Sequence, residues 1–497
     1  MNAINLAILC MGKNLQNFCE YKNSLTQLYK DKKIKNDEVE TLIEFVKALS
    51  SEITKMSDLD YFFYGFSIPQ ISKEFDLLKI YEDGPIINIE LKSQEIELEK
   101  IEYQLKKNRY YLSHLGREIF TFCYVKTGKI YSFDGSRLEE VSINNIKELI
   151  LCDKACIQDN IEKLFRAKDY LISPINMPEK FLRDNYYLTG QQEEIKNKIV
   201  NGIRKGKNTI WGIYGAAGTG KTLLLYDIAR TLGSKMAVCI IHSGILSQGH
   251  IELKAKQREF EIISAKECNE DAISKFECIL IDESQRLYQG DFNCLIKGFK
   301  EKNIKCIFAY DYYQVLSYTE ERRNIPEQLR QQENFVENKL SEKIRTNVEI
   351  VSFIKNVINL QHKPRRYMNY RNIEVLYAEN YEIAKKIVKY YVDVRDYKFI
   401  SYTPSRIRSD IDQFGNYANT HHIIGQEFDN VIFSMDKSFR YTAEGRLQGK
   451  VHPNPDYIFY KLWFQGVSRA REKLCILIIG NEELFNKILS VKLQFEN

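Results

Sequence analysis

The chain has 497 residues, 44% of them hydrophobic and 28% charged, with a formal net charge of +5 and a pI near 8.4. That length allows roughly two to four domains, and that composition is normal for a globular protein, so disorder is not the default expectation. The charge is too mild to imply a polyanionic partner, so any nucleic-acid surface has to come from local clustering.

The first third reads helix-rich and then strand-rich. "NDEVETLIEFVKALSSEITKM" spaces its apolar residues as a helix does. "EFDLLKIYEDGPIINIELKS" predicts two short strands around an Asp-Gly-Pro turn. In the second strand, alternation puts Ile87, Ile89 and Leu91 on one face and Asn88, Glu90 and Lys92 on the other, so a half-buried strand is expected to carry an acid and a base side by side. "QEIELEKIEYQLKKNRYYLSHLG" predicts a long amphipathic helix ending near Gly116, and "IFTFCYVKTGKIYSFDG" a hairpin around Thr127-Gly128. "RAKDYLISPINMPEKFLRDNYYLTG" has two prolines and weak periodicity, and a domain boundary is expected there.

From Gln191 onward, short apolar runs alternate with helical patterns: "NTIWGIYG", "AVCIIHS", "ECILIDES", "IKCIFAYD", then "YKFISYT", "NVIFSM" and "LCILII". Such continuous runs indicate parallel strands covered on both faces. Polar residues follow each run, where open α/β sheets bind ligands. The 11 cysteines include no C-x-x-C pair; Cys239, Cys278 and Cys306 lie in apolar runs and are expected to be small buried hydrophobes. Free thiols in a long chain suit a reducing, cytoplasmic compartment. No apolar run approaches the ~20 residues needed to cross a bilayer, and the first residues lack a basic leader segment.

"GAAGTGKT", Gly215 to Thr222, fits G-x-x-x-x-G-K-[ST] between a predicted strand and a predicted helix, as a phosphate-binding loop requires. Gly215, Gly218 and Gly220 let backbone N–H groups close round phosphates at a helix N-terminus. Lys221 is expected to reach the β- and γ-phosphates of ATP, and Thr222 to ligate Mg²⁺. In "CILIDESQR", Asp282 ends a strand where it can hold Mg²⁺, and Glu283 is placed as the base for attacking water.

Taken with the motifs that follow, this half resembles superfamily 1 helicases, and more narrowly the Schlafen-group-3-like DNA/RNA helicase family. "LTGQQ" looks like the adenine-reading Q motif and implies Gln192. "AYDYYQ" resembles motif III, with Asp311 and Gln314. "LSEKIRTN" resembles motif IV and places Arg345; "HHIIGQEFDNV" resembles motif V, with Gly425 and Glu427; "VSRAREKL" resembles motif VI and places Arg469. The resemblance runs from about Leu188 to the end. It implies two tandem RecA-like lobes with ATP between them, Arg345 and Arg469 neutralising charge on the departing phosphate, and DNA or RNA crossing both lobes on the other side. Tyr312, Tyr313, His421 and His422 are candidates for base stacking. There is little room between Asn347 and Thr420, or between Ser243 and Phe276, for the accessory insertions of processive members, so short-range translocation or an ATP-driven switch is expected.

The N-terminal part resembles the PD-(D/E)xK nuclease pattern: Asp76, then Glu90-Leu91-Lys92 on the next strand. The resemblance implies Asp76 and Glu90 as Mg²⁺ ligands, Lys92 orienting the attacking water, Gln104 facing the site from the next helix, and an earlier acid such as Glu44. The expected chain is therefore an α/β protein with a nuclease-like domain over 1–170, a linker to about 185, a first ATPase lobe over 186–335 and a second over 336–497. Its expected function is an ATP-dependent nucleic-acid motor fused to a nuclease, resembling bacterial phage-defence or DNA-processing proteins. The alternative is a nucleotide-switched binding module whose nuclease-like domain is inactive. Oligomeric state is not legible.

Overall fold

A computed structural model describes the chain except residues 12–14, 27–34, 52–54, 69–70, 72, 166–169, 171, 208, 217, 313, 342–346, 363, 365–367, 404–413, 415–416, 422, 424–425, 450–456 and 495–497. It divides into two compact units, Met1–Tyr170 and Leu171–Asn497. The fold is mixed α/β, and the larger unit holds two all-parallel sheets.

The smaller unit is built on a six-stranded sheet in sequential order: β1 Phe63–Ser67, β2 Glu74–Ile80, β3 Ile86–Lys92, β4 Ile119–Val125, β5 Ile130–Phe133 and β6 Leu138–Val141. The β2–β3 and β4–β5 pairs are antiparallel hairpins, while β3 and β4 are parallel. Parallel neighbours need a crossover, and the helix Leu98–Ser113 supplies it. The half-buried reading of β3 is corrected: every residue from Ile86 to Glu90 is buried. Ile87 and Ile89 join a core with Leu42, Phe45 and Leu49 of the helix Asn36–Ser50. Asn88 and Glu90 instead meet Asn108 of the crossover helix. With both faces covered, the polar residues of β3 have to find partners inside the protein.

In the larger unit the first sheet runs β12-β7-β11-β10-β8-β9, with β7 Ile210–Gly215, β8 Val238–His242, β9 Glu261–Ser264, β10 Cys278–Asp282, β11 Lys305–Tyr310 and β12 Phe335–Leu340. Because β7 lies between β11 and β12, the strand order reverses beside it, and ligands bind at such switch points. The β12 strand spans the 335/336 boundary expected from sequence, so the first sheet extends to Leu340. The second sheet, β13-β18-β15-β14, uses β13 Ile373–Ala378, β14 Lys398–Ile400, β15 Phe428–Met435 and β18 Ala470–Ile479; β16 Phe439–Tyr441 and β17 Leu447–Gly449 form a separate hairpin. Strands β8, β10 and β11 are buried nearly end to end, which explains their unbroken apolar runs. Cys239, Cys278 and Cys306 are buried in these strands, as are Cys123 in β4, Cys475 in β18 and Cys156 near the end of the smaller unit. No helix among the described residues is long and apolar enough to cross a membrane.

Candidate nucleotide and nucleic-acid sites

The phosphate-type loop joins β7 to the helix Lys221–Gly233. Gly218 and Gly220 sit at φ of 76° and 81°, a left-handed conformation that costs other L-residues roughly 1–2 kcal/mol. A Cβ on Gly215 would come within 2.7 Å of the Leu340 carbonyl, and one on Gly220 would run into the Gln192 amide. Gly220→Ala is therefore expected to lower the stability of the larger unit by about 1–2 kcal/mol. An unchanged denaturant midpoint would contradict this.

Gln192 is buried and has partners at both ends. Its Oε1 accepts from the Thr189 backbone N–H (3.0 Å), completing a capping box, while its Nε2 donates to the Thr219 and Gly220 carbonyls (3.4 and 3.3 Å). Its contacts fix the entry to the loop.

The residues at the strand ends converge. Lys221 Nζ donates to the Gly215 and Ala216 carbonyls (2.8 and 3.0 Å) and lies 3.8 Å from Asp311 Oδ2. Thr222 Oγ1 donates to Asp282 Oδ2 at 3.1 Å. Glu283 follows at φ 55°, its own backbone N–H donating to Asp282 Oδ1 at 3.1 Å. The buried Gln285 ties two strand ends together: its Nε2 donates to Glu283 Oε2 (2.6 Å) and its Oε1 accepts from the Asp311 N–H (3.2 Å). Gln314 Nε2 donates to Asp311 Oδ2 at 3.0 Å. Behind Asp282 lies the fully buried His242 (Nδ1 to Oδ2, 3.8 Å), packed against His250 with ring centroids 4.3 Å apart and ring planes tilted at 41°. Burial and the neighbouring His242 lower the His250 pKa to about 2, so His250 stays neutral.

Arg469 brings charge from the second sheet. Its guanidinium is buried and donates to the Gln465 and Gln426 carbonyls at 3.2 and 3.3 Å. Burial pushes its pKa down against the pull of Glu427, Glu283 and Asp311. Burial would push the Glu283 carboxyl up, but Arg286 first, then Lys221 and Arg469, hold it below the usual carboxylate range. A carboxylate so held stays ionised at neutral pH. Glu427 is partly buried, and its backbone carbonyl accepts from Asn176 Nδ2 at 2.7 Å. Arg345 and Gly425, with Tyr313 and His422, lie outside the described residues.

The loops after the same strands also line a cavity of about 950 Å³. Its lining includes Lys266, Arg286, Arg322 and Arg323, with Glu320 the one carboxylate among the described residues. Glu320 already accepts from the Leu316 N–H at 2.7 Å. Tyr288 and Tyr318 line it while 65% and 43% exposed, and Arg323 packs over the Tyr288 ring at 4.8 Å. His421 borders the cavity, with a ring nitrogen 2.5 Å from Thr403 Oγ1. Tyr312 is a correction: its hydroxyl donates to Glu337 (2.5 Å) and its ring packs edge-on against Tyr214 and Tyr310, so it is absorbed into a polar-aromatic cluster. The exposed Tyr288 and Tyr318 were missed because the sequence does not tell a solvent-facing tyrosine from a packed one. Arg286 and Gln285 stand in plain view as the last letters of "DESQR".

In the smaller unit, Leu77 pairs with Ile89, so Asp76 and Glu90 fall opposite each other on adjoining strands. Asp76 Oδ2 accepts from the Leu91 N–H at 2.9 Å. Burial and the facing Glu90 charge raise the Asp76 carboxyl to about 7, against the Leu91 hydrogen bond, Lys92 and Lys73. Glu90 accepts from Asn108 Nδ2 (2.7 Å) and Gln104 Nε2 (3.3 Å), and lies 3.9 Å from Lys73 Nζ and 3.8 Å from Lys92 Nζ. Asp76, Glu74 and Lys92 border a cavity of about 250 Å³; the helical residues bordering it are Lys22, Glu38 and Thr41, so that Glu38 is the helical acid there in place of the expected Glu44. No group of three or more His, Cys, Asp or Glu side chains with metal-binding geometry occurs among the described residues. The fit to a hard cation rests on two facing carboxylates, each oxygen of which keeps a lone pair beyond its present hydrogen bond.

Residues 208–397 match the family model described as Schlafen group 3, DNA/RNA helicase domain. That span carries Lys221, Asp282, Glu283 and Asp311, so the segment holding the phosphate-type loop resembles a helicase-type domain. No curated protein matches the chain. Among solved structures, Bacteroides sp Pif1 in complex with ADP-AlF4 is 12% identical, with a TM-score of 0.34 over 61% of this chain and 97% of that one. Pif1 helicase from Candida albicans is 13% identical, with a TM-score of 0.30 over 59% and 94%. Likeness at these TM-scores carries no argument about this chain.

Proposed function

We propose that this chain is an ATP-hydrolysing nucleic-acid motor or switch with an N-terminal Mg²⁺-dependent nuclease domain. The observation that carries the motor half is the convergence of Lys221, Thr222, Asp282, Glu283 and Asp311 at the ends of adjacent parallel strands, with Arg469 of the second sheet within electrostatic reach. Lys221 and the loop N–H groups bind the triphosphate, and Glu283 accepts a proton from the attacking water. Arg469 neutralises charge on the departing phosphoryl group, which couples hydrolysis to the approach of the two sheets. Thr222 and Asp282 offer the hard oxygens that would hold Mg²⁺, which would supply charge neutralisation on the phosphate oxygens. Arg345, Gly425 and Glu427 keep the second-lobe roles that the family resemblance implies.

The 950 Å³ cavity is the proposed path of a single strand of DNA or RNA. Four cationic side chains against one already bonded carboxylate suit a phosphodiester backbone, and exposed tyrosines suit stacked bases. The test is ATPase activity with and without single-stranded DNA and RNA. A rate that ignores every nucleic acid, together with absent binding, would sink this reading.

In the smaller unit we assign Asp76 and Glu90 as the Mg²⁺ carboxylates. Bound between them, Mg²⁺ would supply polarisation of a phosphodiester and a lowered pKa for water. Lys92 orients that water, and Gln104 and Asn108 fix Glu90. A second reading, a nuclease-like domain that only grips nucleic acid, is favoured by one observation: Lys73 and Lys92 already balance the two carboxylates. Asp76→Asn separates the two. Because the folded Asp76 carboxyl titrates near 7 instead of 3.8, its contribution to stability is present at low pH and is lost as pH rises through about 7. Asp76→Asn should thus stabilise the smaller unit by about 1–3 kcal/mol at pH 8 and much less at pH 5. It should also abolish any Mg²⁺-dependent rise in melting temperature. A wild-type melt indifferent to Mg²⁺ would favour the gripping reading. Phage defence is proposed from the family resemblance and is tested by plaque counts on cells carrying wild type or Lys92→Ala.

A further inference from the structure

Arg286 stands between the two sites of the larger unit. It is 4% exposed, yet it lines the cation-rich cavity. Its Nε faces Glu283 Oε2 at 3.5 Å, while neither Nη1 nor Nη2 has a hydrogen-bond partner among the described residues. A buried guanidinium with both NH2 groups unsatisfied is costly, and a fork of that geometry matches a phosphate bidentately. Two neighbours hold its segment toward the cavity. Arg323 Nη2 donates to the Arg286 carbonyl at 3.5 Å, and the exposed Tyr288 follows two residues later under the Arg323 guanidinium. On its other side, Glu283 is hydrogen-bonded to Gln285, which also holds the Asp311 N–H, and Asp311 faces Lys221. One arginine therefore touches both the carboxylate that takes the proton from water and the wall of the strand path.

We infer that Arg286 couples the two sites: a backbone phosphate of single-stranded nucleic acid takes its Nη1 and Nη2, drawing the guanidinium off Glu283 and leaving that carboxylate to accept the proton of the attacking water. A carboxylate paired with a guanidinium is a poorer acceptor for water, so the pairing restrains hydrolysis until a strand is bound. This rests on the reading of the cavity as a nucleic-acid path and of Glu283 as the base. The chemistry recognised is the phosphodiester, common to DNA and RNA. Arg286 is a positioning residue, since it acts through Glu283.

The test compares the full-length chain with Arg286→Gln and Arg286→Lys. ATP turnover is titrated with oligothymidylate and oligouridylate, and strand binding is measured by anisotropy across a salt series. In wild type, the strand raises turnover several-fold. In Arg286→Gln, the ratio of stimulated to basal rate should fall to near one, with strand affinity weakened about tenfold and the slope of log K against log salt reduced by about one. Arg286→Lys keeps a charge without the fork, and should restore the salt slope but only part of the stimulation. A wild-type stimulation ratio kept in Arg286→Gln overturns the coupling and leaves the motor reading standing. A wild type that neither binds nor answers to nucleic acid overturns both. Because the pairing restrains hydrolysis, Arg286→Gln should reach a ratio near one through a raised strand-free rate; a strand-free rate below that of wild type overturns the restraint whatever the binding shows.

Discussion

Lys221→Ala should reduce ATP turnover by about 10²–10³-fold while leaving nuclease activity in place. The ammonium is the compact cation of the phosphate loop, resting 2.8–3.0 Å from the Gly215 and Ala216 carbonyls and 3.8 Å from Asp311. The two hydrogen bonds are short, local and made to backbone and the Asp311 contact is longer, so the side chain needs only a rotamer change to meet a phosphate oxygen. Removing it deletes the charge that offsets the developing negative charge on the β–γ bridge. It removes two charge-assisted hydrogen bonds to carbonyls that face the loop, about 3 kcal/mol together, so the melt is read beside the turnover. Phosphate release under saturating ATP is the measurement, with a melt as the control. A variant that retains more than a tenth of wild-type turnover would remove the loop from the catalytic site.

The second large effect is expected at Lys92. Lys92→Ala should reduce strand cleavage by about 10²-fold or more with ATP turnover unchanged, because Lys92 lies in the other compact unit. Lys92 is the cleaner test of the pair. Its ammonium is partly exposed and 3.8 Å from Glu90, so its loss leaves no unpaired buried charge. Glu90→Ala removes a side chain that accepts from Asn108 and Gln104 and faces the buried Lys73. Deleting one partner of such a cluster costs about 3–5 kcal/mol, so loss of cleavage there would be confounded with unfolding. Glu90→Gln keeps the volume and half the hydrogen bonding, and should match Lys92→Ala in activity. Labelled single- and double-stranded DNA and RNA with Mg²⁺ provide the assay, and equal digestion by wild type and Lys92→Ala would dismiss the nuclease assignment.

Much of the fold was legible in local chemistry. The Asp-Gly-Pro turn, the Thr127-Gly128 hairpin and the unbroken apolar runs each state their own geometry, and the strands fall where those runs stand. The phosphate-type loop was readable for the same reason, since its glycines answer a conformational demand that two positive φ angles make explicit. What stayed hidden depends on neighbours far along the chain. Strand β12 follows a turn with no apolar alternation, and it joins the sheet through hydrogen bonds to β7 more than a hundred residues earlier. Glu38 displaces Glu44 at the smaller cavity because helix rotation decides which acid faces the sheet, and periodicity gives the apolar face more clearly than the register of its polar edge. Tyr312 reads like an exposed platform until Glu337, from another strand, takes its hydroxyl. Gln285 and Arg286 gain their importance only from what Asp311 and the cavity bring beside them.

The buried cysteines carry a practical consequence. Cys123 and Cys156 report on the smaller unit, Cys239, Cys278 and Cys306 on the first parallel sheet, and Cys475 on the second. Burial raises all six thiols, Cys123 and Cys306 to about 12, so a maleimide reaches them only when their strand opens. Pulsed alkylation followed by peptide mass mapping would then time the opening of each sheet separately in the unmodified wild-type chain, and would record which of them ATP or a nucleic-acid strand clamps shut.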